Sequence, residues 1–138
     1  MNHLPAASFW IICWLRSSPD GSRIACLMKD DGGIVQLWTI SPNGGPPAQL
    51  THGAQSIASA FTWSPDGRRL AHAMGNSVCI TDAAYGETSQ LTPPSDDATA
   101  PRPEACVFSP DGNQIASVRN LTSGDRARNQ LFVIALKL

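Results

Sequence analysis

The stretch FTWSPDGRRLAHA, residues Phe61–Ala73, contains the four-residue word SPDG, which decides how this chain is organised. The word occurs three times, at Ser18–Gly21, Ser64–Gly67 and Ser109–Gly112, so that the copies start 46 and then 45 residues apart. A word of this length that recurs at a nearly constant period indicates the repetition of one structural unit.

SPDG is the sequence of a tight turn between two β-strands. Serine can accept hydrogen bonds from nearby backbone N–H groups, proline sets φ at the second position, and aspartate is tolerated at the third. Glycine provides the positive φ that follows a type I turn in a three-residue hairpin connection with a bulge. The flanks are short, apolar and partly alternating, as in RLAHAM and QIASV, which favours strands on both sides. The residues predicted to form these structural turns are Ser18, Pro19, Asp20, Gly21, Ser64, Pro65, Asp66, Gly67, Ser109, Pro110, Asp111 and Gly112.

A second recurring frame, GxxxQLT, lies downstream of two of the SPDG turns, at Gly45–Thr51 and Gly86–Thr92. The apolar runs VQLWTIS and SVCITD come just before it and are typical of a third strand. Each repeat is therefore predicted to contain four antiparallel strands in about 45 residues, which is the size of one β-propeller blade. We predict an all-β chain that forms a partial β-propeller of about three four-stranded antiparallel blades.

The whole chain, residues 1–138, is predicted to be a single propeller segment. Blade one covers about residues 6–52, blade two about 56–92 and blade three about 104–138. Blade three is predicted to be incomplete, because its final run LFVIALKL matches the third strand of blade one and no fourth strand follows. The polar stretch NLTSGDRARNQ is predicted to be a long loop within blade three.

The residues around the turn carry a family resemblance. An aromatic residue precedes SPDG in two blades, as Trp63 and Phe108, and an apolar pair follows in the second strand. Together with the GxxxQLT endings, these features resemble the TolB-like β-propeller repeat family. Blade one departs from the pattern, since Ser17 stands where the aromatic residue belongs.

The resemblance implies a fold and leaves the function open, because the fold serves different functions in different proteins. It occurs in TolB, in oligogalacturonate lyases and in the propellers that gate prolyl-oligopeptidase-type enzymes. By resemblance to TolB, we predict a non-catalytic module for protein–protein interaction, with an envelope lipoprotein as partner and the periplasm as compartment. Two observations speak against that compartment. No Lys or Arg precedes the apolar run AASFWIICWL, as a signal peptide would require, and the separate N-terminal α/β domain of TolB has no counterpart here.

Two rival hypotheses stay open. One is a metal-dependent propeller enzyme of the oligogalacturonate-lyase type, and the other is a truncated fragment of a longer propeller protein without independent function. Three blades form only an arc, and closure is what protects the sheet edges of a propeller. We therefore expect either a homodimer that joins three blades to three, or a strand exchange in which the segment MNHLPAASFW completes blade three, or a fragment.

Composition excludes several classes of partner. The net charge is −1 and 15% of the residues are charged, which argues against a nucleic-acid or anionic-membrane surface. The longest apolar run is too short to span a bilayer. The four cysteines lie in apolar runs with no CxxC spacing, which favours buried strand residues over a zinc or redox site. They are Cys13, Cys26, Cys79 and Cys106.

No catalytic residue, metal site or cofactor is predicted. The GxSxG motif of hydrolases does not occur. Lyases of the resembling family hold a divalent metal with histidines in the propeller channel, but His52 and His72 occupy different positions in their blades. The arginines that follow the turns, Arg23, Arg68 and Arg69, are predicted to face solvent.

Arg102, Glu104 and His52 are predicted to contact a protein partner. Arg102 and Glu104 lie at the entry to the first strand of blade three, where Pro101 and Pro103 would hold them stiffly and lower the entropy lost on binding. His52 directly follows the QLT ending of blade one.

Overall fold

The computed structural model describes residues 11–94 and 101–137, and the regular elements in this part of the chain are all β-strands. The strands are β1 (Ile11–Ser17), β2 (Ile24–Lys29), β3 (Val35–Ile40), β4 (Ala48–Gln49), β5 (Ile57–Trp63), β6 (Arg69–Met74), β7 (Ser77–Asp82), β8 (Thr88–Gln90), β9 (Pro101–Phe108), β10 (Gln114–Ser123) and β11 (Arg126–Ala135).

Each repeat forms one antiparallel sheet. The first sheet contains β1–β4 and the second contains β5–β8, both with four strands in chain order. The third sheet has three strands in the order β11-β10-β9. The predicted partial propeller with an incomplete third blade is confirmed. The segment MNHLPAASFW, a candidate for the missing strand, lies outside the described residues.

The three SPDG turns have the same geometry, as the middle turn shows. The Gly67 N–H donates to the Ser64 carbonyl at 2.9 Å, and Gly67 has φ 71°. The Ser64 hydroxyl donates to Asp66 Oδ1 at 2.6 Å and accepts the N–H of Arg69 at 2.9 Å. The Asp66 carboxylate also accepts the N–H of Arg68 at 3.0 Å, and these hydrogen bonds lower its pKa. The turn is thus closed by its own side chains, which explains why the word recurs intact.

The core consists of two layers, one on each face of the second sheet. Leu70 faces the first sheet and packs with Leu27 and Phe61, whereas the neighbouring Ala71 faces the third sheet and packs with Ile115. The alternation follows from the two-residue period of a strand. β5 contacts both β1 and β9, so the first strands of the three sheets lie side by side. The sheets therefore stack face to face as successive propeller blades do.

The predicted long loop in blade three is wrong. β10 continues to Ser123 and β11 starts at Arg126, so the polar stretch forms a hairpin closed by a two-residue turn at Gly124. The pairing is continuous through this region, and the side chains of Asn120 and Asn129 form a cross-strand hydrogen bond of 3.0 Å. Gly124 has φ 60°, as the first position of a II′ hairpin turn requires. Cross-strand pairing and a suitable turn residue outweigh the polar composition here.

Candidate interaction surface

The predicted interaction residues lie toward the end of the sheets opposite the SPDG turns. Antiparallel strands alternate in direction, so the loops that lead from one sheet to the next emerge at that opposite end. His52 is exposed in the loop between β4 and β5. Arg102 and Glu104 lie within β9, but their side chains lie outside the described residues. Their role in partner binding stays a prediction.

His52 lies near the carboxylate of Asp30, which is a turn residue. The Asp30 Oδ2 accepts a hydrogen bond from Gln36 Nε2 at 3.0 Å, and its Oδ1 accepts the N–H groups of Gly32 and Ile34 at 2.9 and 3.0 Å. The hydrogen bond from Gln36 is the largest cause that lowers the Asp30 pKa, and the charge of His52 contributes least. Asp30 therefore organises the turn between β2 and β3.

His72 is buried in the second sheet and is not placed at the surface. Its Nε2 lies 2.7 Å from Thr81 Oγ1, which is in turn 2.8 Å from Thr88 Oγ1. Its Nδ1 has no hydrogen-bond partner among the described residues. Burial lowers the His72 pKa from 6.5 to about 4, so the ring is neutral at pH 7. The structure thus makes His72 a core residue that links β6, β7 and β8.

Three of the four cysteines are buried thiols, and the side chain of Cys13 lies outside the described residues. Cys26, Cys79 and Cys106 are free, and burial raises the pKa of Cys26 and Cys106 to about 11. A buried thiol that holds its proton is a poor nucleophile, which fits the prediction of core strand residues.

Within residues 11–94 and 101–137, no group of three or more His, Cys, Asp or Glu side chains could hold a metal ion. The same residues contain no helix with the length and apolarity needed to cross a membrane.

Two arginines after the SPDG turns connect neighbouring sheets, so their predicted solvent role is wrong. The Arg23 Nη1 donates to the Ala83 carbonyl at 2.6 Å, from the first sheet to the second. Arg69 occupies the same place one repeat later, and its Nη2 donates to the Gly112 carbonyl at 3.2 Å. The Arg69 guanidinium also lies 5.6 Å from the centroid of the Phe108 ring, within cation–π range. The repeat period shows that Arg23 and Arg69 are equivalent positions. Their partners could not be predicted from the sequence, because Ala83 and Gly112 are distant from them along the chain.

The QLT endings form a clasp on the third strand of their sheet. In the first sheet the Leu50 N–H donates to the Leu37 carbonyl at 2.8 Å, and the Leu37 N–H donates to Thr51 Oγ1 at 3.0 Å. The Gln49 side chain donates to the Thr51 carbonyl at 2.8 Å. The Thr51 hydroxyl thus accepts the Leu37 N–H, as a backbone carbonyl would do if β4 were longer.

The same clasp closes the second sheet. The Leu91 N–H donates to the Val78 carbonyl at 2.8 Å, the Val78 N–H donates to Thr92 Oγ1 at 3.0 Å, and Gln90 Nε2 donates to the Thr92 carbonyl at 2.9 Å. Two independent copies with the same bonds show that QLT ends the fourth strand through its side chains.

In the first and second sheets, one face is buried against the next sheet along the chain. The corresponding face of the third sheet is exposed. Val107, Ala116 and Val133 lie side by side across β9, β10 and β11. Val107 is 53% exposed, Val133 is 57% exposed and the nearby Leu131 is 65% exposed. Ala71, the counterpart of Ala116 in the second sheet, is completely buried against the third sheet. The third sheet thus carries an unburied apolar surface, which we call the open face (Val107, Ala116, Leu131 and Val133).

Comparison with known proteins places the chain among propellers. No protein-family model matches it. It is 48% identical over 103 residues to the uncharacterized protein YidR of Escherichia coli strain K12, an alignment that covers 75% of this chain and 24% of YidR. The chain therefore spans about a quarter of the length of this relative.

Solved structures of similar fold include both enzymes and TolB. TolB from Acinetobacter baumannii is similar with a TM-score of 0.59 and 27% identity over 85% of this chain and 28% of TolB. An oligogalacturonate lyase in complex with manganese has a TM-score of 0.62 and 18% identity over 75% of this chain and 27% of the lyase. Dipeptidyl peptidase 4 from Porphyromonas gingivalis has a TM-score of 0.59 and 14% identity over 88% of this chain and 21% of the peptidase. The chain has a TolB-like propeller fold, of which it forms a partial arc.

Proposed function

We propose that this chain is a non-catalytic propeller segment that acts in protein–protein interaction, with the open face of the third sheet as its contact surface. The exposure of Val107, Leu131 and Val133 on one sheet face is the observation that carries the proposal. Contiguous apolar surface of this kind is typical of an interaction site in a soluble protein.

The open face has the chemistry of a blade-to-blade contact. In the two contacts within the chain, aliphatic side chains of one sheet pack on aromatic and aliphatic side chains of the next, as Leu37 and Leu27 pack with Phe61. The open face offers the same aliphatic surface, since its four residues are valine, alanine and leucine. Its partner would therefore be another β-sheet with an apolar face.

We propose a second copy of this chain as that partner, so that two arcs of three sheets associate. The relatives extend well beyond the matched region, since this chain corresponds to 24% of YidR and 28% of TolB from A. baumannii. Residues outside the matched region are thus available in those proteins to cover the equivalent face. The envelope-lipoprotein partner and the periplasmic location implied by the resemblance to TolB stay predictions.

Sedimentation velocity over a range of concentrations tests the proposal. We expect the wild-type chain to form a discrete dimer, and the double variant Val107→Glu and Val133→Glu to remain monomeric because two carboxylates would be buried in the contact. A matched control places the same two charges on exposed positions elsewhere, Asn43→Glu and Ser89→Glu, and should dimerise like the wild type. A monomeric wild type, or equal behaviour of the two double variants, would contradict the proposal.

A further inference from the structure

We infer that the outer edge of β11 is an acceptor site for an extended peptide segment that contains Gln-Leu-Thr. The inference rests on the proposed function, because it names a particular site and sequence for a protein contact. It concerns the edge of the third sheet and not its open face, so the two contacts can be tested separately.

The backbone of β11 presents N–H and C=O groups at this edge that no other described residue pairs with. The Leu136 N–H donates to the Asn113 carbonyl at 2.8 Å, so the even-numbered residues of β11 are those that form hydrogen bonds with β10. The N–H and C=O groups of the odd-numbered Leu131 and Val133 consequently point away from β10. Within the described part of the chain, β11 has a neighbouring strand on its β10 side alone.

Leu131 occupies the position that QLT clasps in the other two sheets. Leu131 pairs with Val118, as Leu37 pairs with Leu27 in the first sheet. Val78 has the same place in the second sheet, by its pairing with Ala73. Leu37 and Val78 are completely buried, whereas Leu131 is exposed. Among the described residues, the edge therefore has the backbone groups of the clasp without a segment that closes it.

The residue before Leu131 favours the ending of blade one over that of blade two. Gln130 corresponds to Gln36, whose Oε1 accepts a hydrogen bond from Thr51 Oγ1 at 2.7 Å and whose Nε2 donates to the Gly53 carbonyl at 2.8 Å. The second sheet has Ser77 at this place. An exposed Gln130 next to the open edge can form both bonds of Gln36 with an incoming segment.

The leucine of the segment adds an apolar contact. Leu50 packs on the core between the first and second sheets, and Leu91 packs on the core between the second and third. A leucine in the same place on the third sheet would lie on the open face beside Leu131 and reduce its exposure. Backbone hydrogen bonds provide the affinity of such strand addition, and the glutamine, leucine and threonine side chains provide the specificity.

A synthetic peptide with the sequence of residues 45–53, GPPAQLTHG, tests the inference on the full chain. We expect it to slow hydrogen exchange at the amides of Leu131 and Val133 in a saturable manner, as measured by NMR. A peptide with Val in place of the threonine loses one donor and one acceptor, which is two hydrogen bonds, and should bind about 25-fold more weakly, at about fivefold for each net hydrogen bond. A peptide of scrambled order serves as the control for non-specific adhesion.

Two protein variants locate the site. Leu131→Pro removes an N–H that the ladder with β10 does not use, and proline is tolerated on edge strands, so this variant should fold but lose binding. Gln130→Leu should weaken binding of GPPAQLTHG by a few-fold. Circular dichroism checks that both variants keep the fold, and the threonine-to-valine peptide gives a test on the unmodified protein.

The outcomes separate this inference from the proposed function. Equal protection by the scrambled peptide, protection at positions other than β11, or no protection would each overturn the inference. Peptide binding at β11 together with a monomeric wild type in sedimentation would support the inference and contradict only the dimer. Dimerisation that depends on Val107 and Val133, without peptide binding, would support only the proposed function.

Discussion

The guanidinium of Arg23 donates a hydrogen bond of 2.6 Å to the backbone carbonyl of Ala83, sixty residues further along the chain, and so connects the first sheet to the second. Ala83 is buried, so its carbonyl has little access to water as a substitute partner. A charged donor to a buried acceptor is among the stronger hydrogen bonds in a protein.

We expect Arg23→Met to lower the free energy of unfolding by about 1–3 kcal/mol, because the side-chain stem is kept while the donor is removed and the carbonyl is left without a partner. Urea denaturation measures the change. Arg68→Met is the control, since Arg68 is an exposed arginine next to Arg69, the equivalent of Arg23, and should change stability by about 0.5 kcal/mol or less. Equal effects of the two substitutions would show that the bond to Ala83 does not stabilise the fold.

Gly86 permits the close approach of the first and second sheets. It has φ 74°, and a Cβ atom added there would overlap the backbone carbonyl of Leu50. Gly86→Ala should therefore lower the free energy of unfolding by about 2 kcal/mol or more, the sum of a left-handed backbone and a steric clash. Gly124→Ala, at φ 60° with no atom within 4 Å, should lose only the backbone contribution of about 1 kcal/mol. Chemical denaturation of both variants measures the difference, and a smaller loss at Gly86 would contradict the packing.

The burial of His72 predicts a pH dependence of stability. Its pKa of about 4 in the folded protein lies below the ordinary value of 6.5, so the unfolded chain binds more protons between these two pH values. Stability from this group is present above pH 6.5 and is lost as the pH falls toward 4, by an amount on the order of a few kcal/mol. Unfolding measured at several pH values should show a shallower slope in this window for His72→Gln. A wild-type slope in His72→Gln would assign the effect to other groups.

The carboxylate of the first SPDG turn should titrate at unusually low pH. The Asp20 pKa is lowered to about 2, first by the backbone N–H of Ser22 and then by the hydroxyl of Ser18. The NMR titration midpoint of the Asp20 carboxyl carbon should be near 2 and should rise in Ser18→Ala, which removes a hydrogen bond of 2.7 Å. Ser123→Ala, far from this turn, is the control. An unchanged midpoint in Ser18→Ala would mean that the hydroxyl does not stabilise the carboxylate.

The features that the sequence predicts are those that depend on hydrogen bonds between residues close together along the chain. The SPDG turns form bonds within six residues, as from Ser64 to Arg69, so the turn and its two strands follow from the word itself. The QLT endings predict strand ends, but the hydrogen bond from the Leu37 N–H to Thr51 Oγ1 that explains them forms only when β3 and β4 pair. The polar composition of NLTSGDRARNQ predicts a loop, but the stretch forms a hairpin, because it pairs with polar residues of the opposite strand and composition does not reveal that pairing.

The sequence by itself determined the all-β repeat, its turns and the number of sheets, since all of these depend on contacts between near neighbours. Only the tertiary structure decided that Arg23 and Arg69 join adjacent sheets, that His72 is buried and neutral at pH 7, and that Leu131 lies exposed at an open edge. The physical reason is that burial and partners in these cases come from other sheets, and the stacking of one sheet on the next brings together residues that no local pattern connects.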